Sequence, residues 1–163
     1  MHQEVKHLAE FIISKLPDSS IPPNEKALFF DSLVFELINK YTDHWYPEVS
    51  QQGSAYRSIS IWSELDPLLL KVIRKCNLDS ALFQTYLSQD LTIWCDPHHV
   101  CYRIGDHGNI YTIYENKKGL IDSAKKSMAE KVAKSNNDFV ISAYTTPVVI
   151  RRANRVETPL NTS

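Results

Sequence analysis

The sequence predicts an α+β fold in a single domain, with helices packed around a small, mainly antiparallel sheet. Two long stretches with apolar residues three and four positions apart come first, and this spacing is typical of amphipathic helices. Stretches in which apolar and polar residues alternate follow, and two shorter helical patterns lie among them. This order differs from the regular strand–helix alternation of α/β proteins, so the sheet is expected to be mainly antiparallel.

Four helices are predicted from apolar periodicity and from the residues at their ends. The first covers Val5–Leu16 and ends at Pro17, because proline interrupts the helical hydrogen bonds. The second has Asn24 as its candidate N-cap. Its apolar stripe consists of Phe30, Leu33, Val34, Leu37, Ile38 and Tyr41. Asp66-Pro67 predicts the start of the third helix, and Asp79-Ser80 that of a short fourth.

Alternation predicts four strands, over Ala55–Trp62, Leu91–Asp96, Val100–Ile104 and Ile110–Tyr114. A turn with two glycines joins the last two strands as a hairpin. Further on, Phe139–Ile150 is apolar and β-prone, and Pro147 predicts an edge or isolated segment there.

Charge is distributed unevenly along the 163 residues. Residues 1–115 carry nine Lys/Arg and 15 Asp/Glu, whereas residues 116–163 carry nine and four. Apolar periodicity also weakens after residue 115. We therefore predict a domain over residues 1–117 and a basic, partly disordered C-terminal extension over residues 118–163.

Cysteine usage and hydropathy predict the cellular environment. The three cysteines form no CxxC pair and are an odd number, which indicates reduced thiols in an intracellular protein. The N-terminus has no pattern of a signal peptide, and no apolar run approaches the length of about 20 residues that spans a bilayer. We expect a protein of the cytoplasm and nucleus, with no membrane partner.

Motifs of enzymes are missing from the sequence. It contains no P-loop, no GxGxxG and no GxSxG, and only four glycines. His98, His99 and His107 could suggest a metal site, but adjacent histidines on a strand point to opposite faces. Cys95 and Cys101 are expected to be packed, inert thiols. We predict no enzymatic activity, no cofactor and no metal.

Two surface features have a simple structural interpretation. Leu65–Leu69 matches an LxxLL motif, but the same leucines complete the buried stripe of the third helix. The six lysines of residues 116–137 lack neighbouring aromatic residues, which RNA-binding modules place beside their basic groups. We therefore expect only weak or indirect RNA contact through this extension.

Two other segments suggest a binding surface. Asp43–Glu48 is a loop rich in aromatic residues. In Leu91–Pro97, Trp94 lies on the polar face, with Thr92 and Asp96. From the residues alone, this tryptophan is either packed beneath a helix or an anchor for a protein partner.

The same segments resemble the two signature boxes of the BTG/Tob antiproliferative family. Tyr41-Thr-Asp-His-Trp-Tyr-Pro-Glu48, followed by Gly53-Ser-Ala-Tyr-Arg57, resembles box A. Leu91-Thr-Ile-Trp-Cys-Asp-Pro97, followed by Val100-Cys-Tyr-Arg-Ile-Gly105, resembles box B. The resemblance covers roughly residues 1–115 and includes the separation of the boxes.

The resemblance implies a non-catalytic adaptor that binds the DEDD-type catalytic subunit of the main mRNA deadenylase complex. Such proteins modulate poly(A) shortening, translation and proliferation. It also implies a partner surface built from both boxes. The residues of that surface here would be Tyr56, Trp94, Asp96, His44, Trp45, Pro47, Glu48 and Pro97.

Two alternative functions stay open at this point. One is a transcriptional cofactor that holds nuclear proteins through the same surface or through the LxxLL segment. The other is a self-assembling RNA-regulatory scaffold.

Overall fold

The structure, a computed structural model, describes residues 1–87 and 90–145. It contains helices and a single antiparallel sheet, which confirms the predicted α+β fold. In chain order the elements are α1 (His2–Ser14), α2 (Pro23–Tyr41), α3 (Ser54–Arg57), β1 (Ile59–Ile61), α4 (Pro67–Lys75), α5 (Ser80–Tyr86), β2 (Leu91–Asp96), β3 (His99–Ile104), β4 (Ile110–Glu115) and α6 (Lys117–Thr145). Two short 3₁₀ turns, Thr42–His44 and Pro47–Val49, connect α2 with α3.

The four strands follow one another in the sheet in the order β1-β2-β3-β4, each antiparallel to its neighbour. Ile93 of β2 lies opposite Ile59 on one side and Tyr102 on the other. A bulge interrupts the β3–β4 pairing between Val100 and Cys101. Because residues directly opposite each other share a face, this register assigns every strand residue to one side of the sheet.

The hydrophobic core lies between the helices and one face of the sheet. That inner face of β2 carries Leu91, Ile93 and Cys95, all buried. The helices contribute a larger buried set, which includes Val5, Leu8, Ala9, Ile12, Phe29, Leu33, Leu37, Tyr41, Leu69, Val72, Ile73 and Phe83. The outer face of β2 carries Thr92, Trp94 and Asp96, which are half-buried.

The sequence correctly locates the starts of α4 and α5. The side chain of Asp66 accepts a hydrogen bond from the Leu68 amide at 2.8 Å, and Asp79 accepts one from Ala81 at 2.9 Å, so both act as N-caps. The predicted cap of α2 is wrong. That helix begins at Pro23, the first-turn position that suits a residue without an amide proton, and Asn24 lies inside it.

Burial along α2 and α4 refines the predicted apolar stripes. Phe29 is buried, whereas Phe30 is half-buried, because the stripe begins one residue earlier than the pattern suggested. In the LxxLL segment, Leu65 and Leu69 are buried and Leu68 is half-buried. Core packing therefore accounts for the first and last leucines of this motif.

The predicted strand over Ala55–Trp62 is too long. Residues 54–57 form the helical turn α3, and only Ile59–Ile61 pair with β2. The apolar alternation was real, since Ile59 and Ile61 are buried, but the local backbone before them is helical. Tyr56 therefore lies on a helical turn and not on a strand.

The region after β4 also differs from the prediction. Residues 117–145 form the helix α6, so the predicted boundary at residue 117 falls in its first turn. Residues 139–145, predicted to be β-prone, are helical, while residues 146–163 of the predicted extension lie outside the described residues. The compact unit Met1–Ser127 contains the sheet, the first five helices and the start of α6. Within the described ranges, no helix combines the length and apolar character of a membrane-spanning segment.

A candidate protein-binding surface on the outer face of the sheet

The segment between α2 and β1 is organised by one buried arginine. The side chain of Arg57 is fully buried. Its guanidinium group donates hydrogen bonds, at 2.6–3.0 Å, to the carbonyl oxygens of Cys95, His44, Gln52 and Ser50 and to Oδ1 of Asp96. The planar fork of donors suits this arrangement, because it can hold several acceptors in fixed directions. Arg57 thus ties the segment to the end of β2.

A glycine makes room for this arginine. Gly53 has φ +77°, a conformation that disfavours residues with a Cβ atom. A Cβ atom at this position would also lie 3.0 Å from Nη1 of Arg57. Both observations explain why the box A segment has glycine there.

Asp96 is held in place by two hydrogen bonds within the chain. Its Oδ1 accepts the hydrogen bond from Arg57 at 2.7 Å, and its Oδ2 accepts one from Ser54 Oγ at the same distance. The carboxylate is half-buried and each oxygen keeps further lone-pair capacity. It can therefore accept a hydrogen bond from outside while the internal bonds fix its orientation.

Trp94 lies on the outer face of the sheet, two residues before Asp96. It pairs with Cys101 of β3, and the Arg103 guanidinium carbon lies 5.5 Å from the centroid of its ring. The side chain is half-buried, and Trp94 does not belong to the core cluster found among the described residues. The ring borders a shallow depression of about 390 Å³, lined by Gln51, Ser54, Trp94, Asp96, His99, Cys101 and Ile110.

Tyr56 lies on the next element, α3, and is 47% exposed. The His44 ring contacts it edge-on, with 4.0 Å between ring centroids. Tyr56 borders a second depression, formed with α2 and α4, and not the one beside Trp94. Ser54, on the same helical turn, lines the depression beside Trp94. The turn α3 therefore borders both depressions, one through Ser54 and the other through Tyr56.

The remaining predicted site residues occupy different environments. Trp45 is half-buried, with 6.2 Å between its ring centroid and that of Tyr41, and it packs against the core. Pro47 and Glu48 are exposed, and Glu48 forms an ion pair with Lys126 at 2.5 Å. Pro97 is buried in the turn between β2 and β3, where it can shape the backbone but offers little contact surface.

Several residues of this surface were missed by the sequence analysis. His99, Cys101 and Ile110 line the depression beside Trp94. The alternation of Val100, Tyr102 and Ile104 indicates that His99 and Cys101 lie on the opposite face of β3. It does not indicate that this face is the one on which Trp94 lies, because that depends on the register between β2 and β3. No sequence signal indicated the burial of Arg57.

Both thiols near the site, Cys95 and Cys101, are buried. Burial raises the pKa of the Cys95 thiol well above its ordinary value, and burial followed by the charge of Asp96 raises that of Cys101. Both thiols are therefore protonated and weakly nucleophilic at neutral pH. His99 contacts Thr112 Oγ1 at 3.2 Å through Nε2. In the parts of the chain that the structure describes, no three His, Cys, Asp or Glu residues are grouped to hold a metal ion.

Comparison with known proteins agrees with this architecture. The sequence model of the BTG family matches residues 1–114. Protein BTG2 of Rattus norvegicus is 34% identical over 115 residues, which are 68% of this chain and 73% of that protein. Protein Tob1 of Mus musculus is 31% identical over 139 residues, 85% of this chain and 36% of Tob1, so the chain spans about a third of that relative's length.

A solved structure shows the same fold. The C. elegans FOG-3 BTG/Tob domain aligns with a TM-score of 0.64 at 20% sequence identity, over 75% of this chain and 87% of that one. The extent of the family match and the identity to relatives lead to one conclusion: this chain belongs to the BTG family.

Proposed function

We propose that the chain is a non-enzymatic adaptor that binds the DEDD-type catalytic subunit of the main mRNA deadenylase complex. Through this contact it modulates poly(A) shortening, translation and proliferation or cell fate, in the cytoplasm and the nucleus. Family membership supports the proposal. The observation that carries it is the position of Trp94, outside the core, beside a carboxylate whose orientation is already fixed.

This arrangement suits protein binding because little has to be ordered on association. Trp94 lies on a hydrogen-bonded strand, and Asp96 is held by Arg57 and Ser54. A rigid aromatic anchor with an oriented hydrogen-bond acceptor loses less conformational entropy than a mobile loop. Tyr56, on the adjoining helical turn, extends the surface with an exposed ring.

The experiment that tests the proposal is the substitution Trp94→Ala. Calorimetric titration of the full chain with the purified deadenylase subunit should show an affinity lower by at least about thirtyfold, since interface tryptophans commonly contribute about 2 kcal/mol or more. The melting temperature should change little, because Trp94 lies outside the core cluster.

Trp62 provides a matched control. It is likewise a tryptophan outside the core cluster, 55% exposed, but it does not line the depression beside Trp94. Trp62→Ala should leave the affinity within about twofold of the unchanged protein, as expected for a residue that does not touch the partner. Intact deadenylase binding by Trp94→Ala with an unchanged melting curve would exclude this surface.

The burial of the LxxLL leucines argues against the alternative function of a transcriptional cofactor that uses this motif. Leu65 and Leu69 of the LxxLL segment are in the core, so a receptor could reach them only if α4 left its place. The described residues therefore favour the adaptor over a cofactor that uses this motif. Pull-down of the deadenylase subunit together with transcription factors would separate the two functions.

A further inference from the structure

A basic face lies along α2 and α4, on a domain that is otherwise acidic. Lys71 and Lys75 are exposed one turn apart on α4, with Arg74 between them, and Lys40 lies near the end of α2. Residues 1–115 carry an excess of acidic residues, so these four cations form a local departure from the charge of the domain. We call Lys40, Lys71, Arg74 and Lys75, with Phe35 and Tyr56, the α2/α4 face.

Two exposed aromatic rings lie beside these cations. Phe35 is 56% exposed, and Nζ of Lys75 lies 5.2 Å from its ring centroid. Tyr56 is 47% exposed, and Nζ of Lys40 lies 5.4 Å from its ring centroid. Exposed rings beside basic groups are the combination that single-strand-binding proteins use, and the lysines of residues 116–137 lack it in sequence.

An open cleft of about 410 Å³ borders Lys40, Tyr56 and Lys71, and Lys75 adjoins it through its hydrogen bond to Glu36. Its lining consists of Glu36, Asn39, Lys40, Tyr56, Pro67, Leu68 and Lys71. Glu36 accepts hydrogen bonds from Lys71 at 2.6 Å and Lys75 at 3.5 Å. The hydrogen bond from Lys71 lowers the pKa of Glu36, so this carboxylate is charged and offsets one of the four cations. The face keeps a net positive charge.

We propose that the α2/α4 face binds single-stranded RNA. Lys40, Lys71 and Lys75 contact backbone phosphates, while bases stack on Tyr56 and Phe35. An acidic peptide would satisfy the lysines but leave both rings unexplained, so the aromatic pair favours a nucleic acid. The site is separate from the depression beside Trp94 but shares Tyr56 with the proposed partner surface, and this inference does not rest on deadenylase binding.

The charge contribution is tested by fluorescence anisotropy of a labelled single-stranded adenosine oligonucleotide with the full chain, over a series of salt concentrations. The double variant Lys40→Ala/Lys71→Ala should bind at least fivefold more weakly, about the effect of losing 1 kcal/mol. The slope of log affinity against log salt should fall by about 0.7 for each lost phosphate contact.

Charge-matched controls use lysines elsewhere. Lys6→Ala/Lys26→Ala removes two lysines that pair with Glu10 and Asp18, outside the α2/α4 face, and should leave both affinity and slope unchanged. Lys117→Ala/Lys118→Ala removes two lysines at the start of α6 and should also leave RNA affinity and slope unchanged. If RNA binding falls in these controls and not in Lys40→Ala/Lys71→Ala, the inference is wrong.

The stacking contribution is tested by Phe35→Leu, which keeps apolar volume but removes the ring. RNA affinity should fall about fivefold or more, because base stacking is lost. Trp94→Ala should bind RNA normally, so failure of the deadenylase proposal would not affect this result. If variants of the α2/α4 face bind RNA normally but lose deadenylase affinity, the face contacts protein and the RNA inference fails.

Discussion

At the scale of single residues, Arg57 determines the shape of the candidate surface. Its guanidinium group holds three carbonyl oxygens of the 44–52 segment, one carbonyl of β2 and the Asp96 carboxylate. A buried charge is costly unless hydrogen bonds compensate it, and here every acceptor belongs to a segment that must be positioned. The arginine therefore couples the candidate surface to the stability of the domain.

Arg57→Met should lower the free energy of unfolding by about 3–5 kcal/mol, because Asp96 and four carbonyls lose their donor. Arg57→Lys should cost less, since it keeps the charge but loses the planar fork. Urea denaturation measures both. Arg74→Met, at an exposed arginine, is the control and should change stability by at most about 0.5 kcal/mol. Equal stability of Arg57→Met and Arg74→Met would contradict this role.

At the scale of elements, the start of α6 packs closely against the turn between β2 and β3. The turn consists of Pro97 followed by His98 with φ +70°, the combination found in type II turns. The backbone N–H of Asn116 donates a hydrogen bond to the backbone carbonyl of His98 at 2.8 Å. A Cβ atom on Gly119 would lie 2.3 Å from Nδ1 of His98, so any larger residue requires this ring to move.

We expect Gly119→Ala to destabilise the protein, although replacing glycine by alanine within a helix usually stabilises it. Alanine normally stabilises a helix relative to glycine by about 1 kcal/mol. Here the new methyl group displaces the His98 ring, so the free energy of unfolding should fall by about 1–3 kcal/mol. Thermal denaturation of Gly119→Ala, His98→Ala and the double variant tests this, with Lys125→Ala as the control in the same helix. A Gly119→Ala protein that melts higher would show that α6 does not pack there.

At the scale of the whole molecule, the predicted boundary can be tested with two fragments. We expect fragments 1–118 and 1–127 to fold cooperatively and to bind the deadenylase subunit. The longer one keeps the Glu48–Lys126 ion pair, which as an exposed pair contributes about 0–1 kcal/mol, and the close contact of Gly119 with His98, so it should be the more stable of the two. Circular dichroism with urea denaturation compares them. An unfolded 1–118 fragment would show that α6 is part of the core.

The sequence by itself determined four of the helices, the strands β2, β3 and β4 and the residues of β2 that face outward. Apolar periodicity located α1, α2, α4 and α5, because each helix must bury one stripe. Alternation in residues 91–96 placed Trp94 and Asp96 together on one face, because strand side chains alternate whatever the rest of the fold does. These properties depend on neighbours along the chain, so the chain order is enough to predict them.

Only the tertiary structure decided what lies beside those residues. The local pattern predicted that β1 begins at residue 55. In the structure, residues 54–57 form a helical turn, and Arg57 donates a hydrogen bond from this turn to β2. On the α2/α4 face, Lys75 of α4 lies beside Phe35 of α2, and Lys40 of α2 lies beside Tyr56 of α3. Such juxtapositions depend on how the elements pack, and packing is set by long-range burial and hydrogen bonding that no local window of sequence contains.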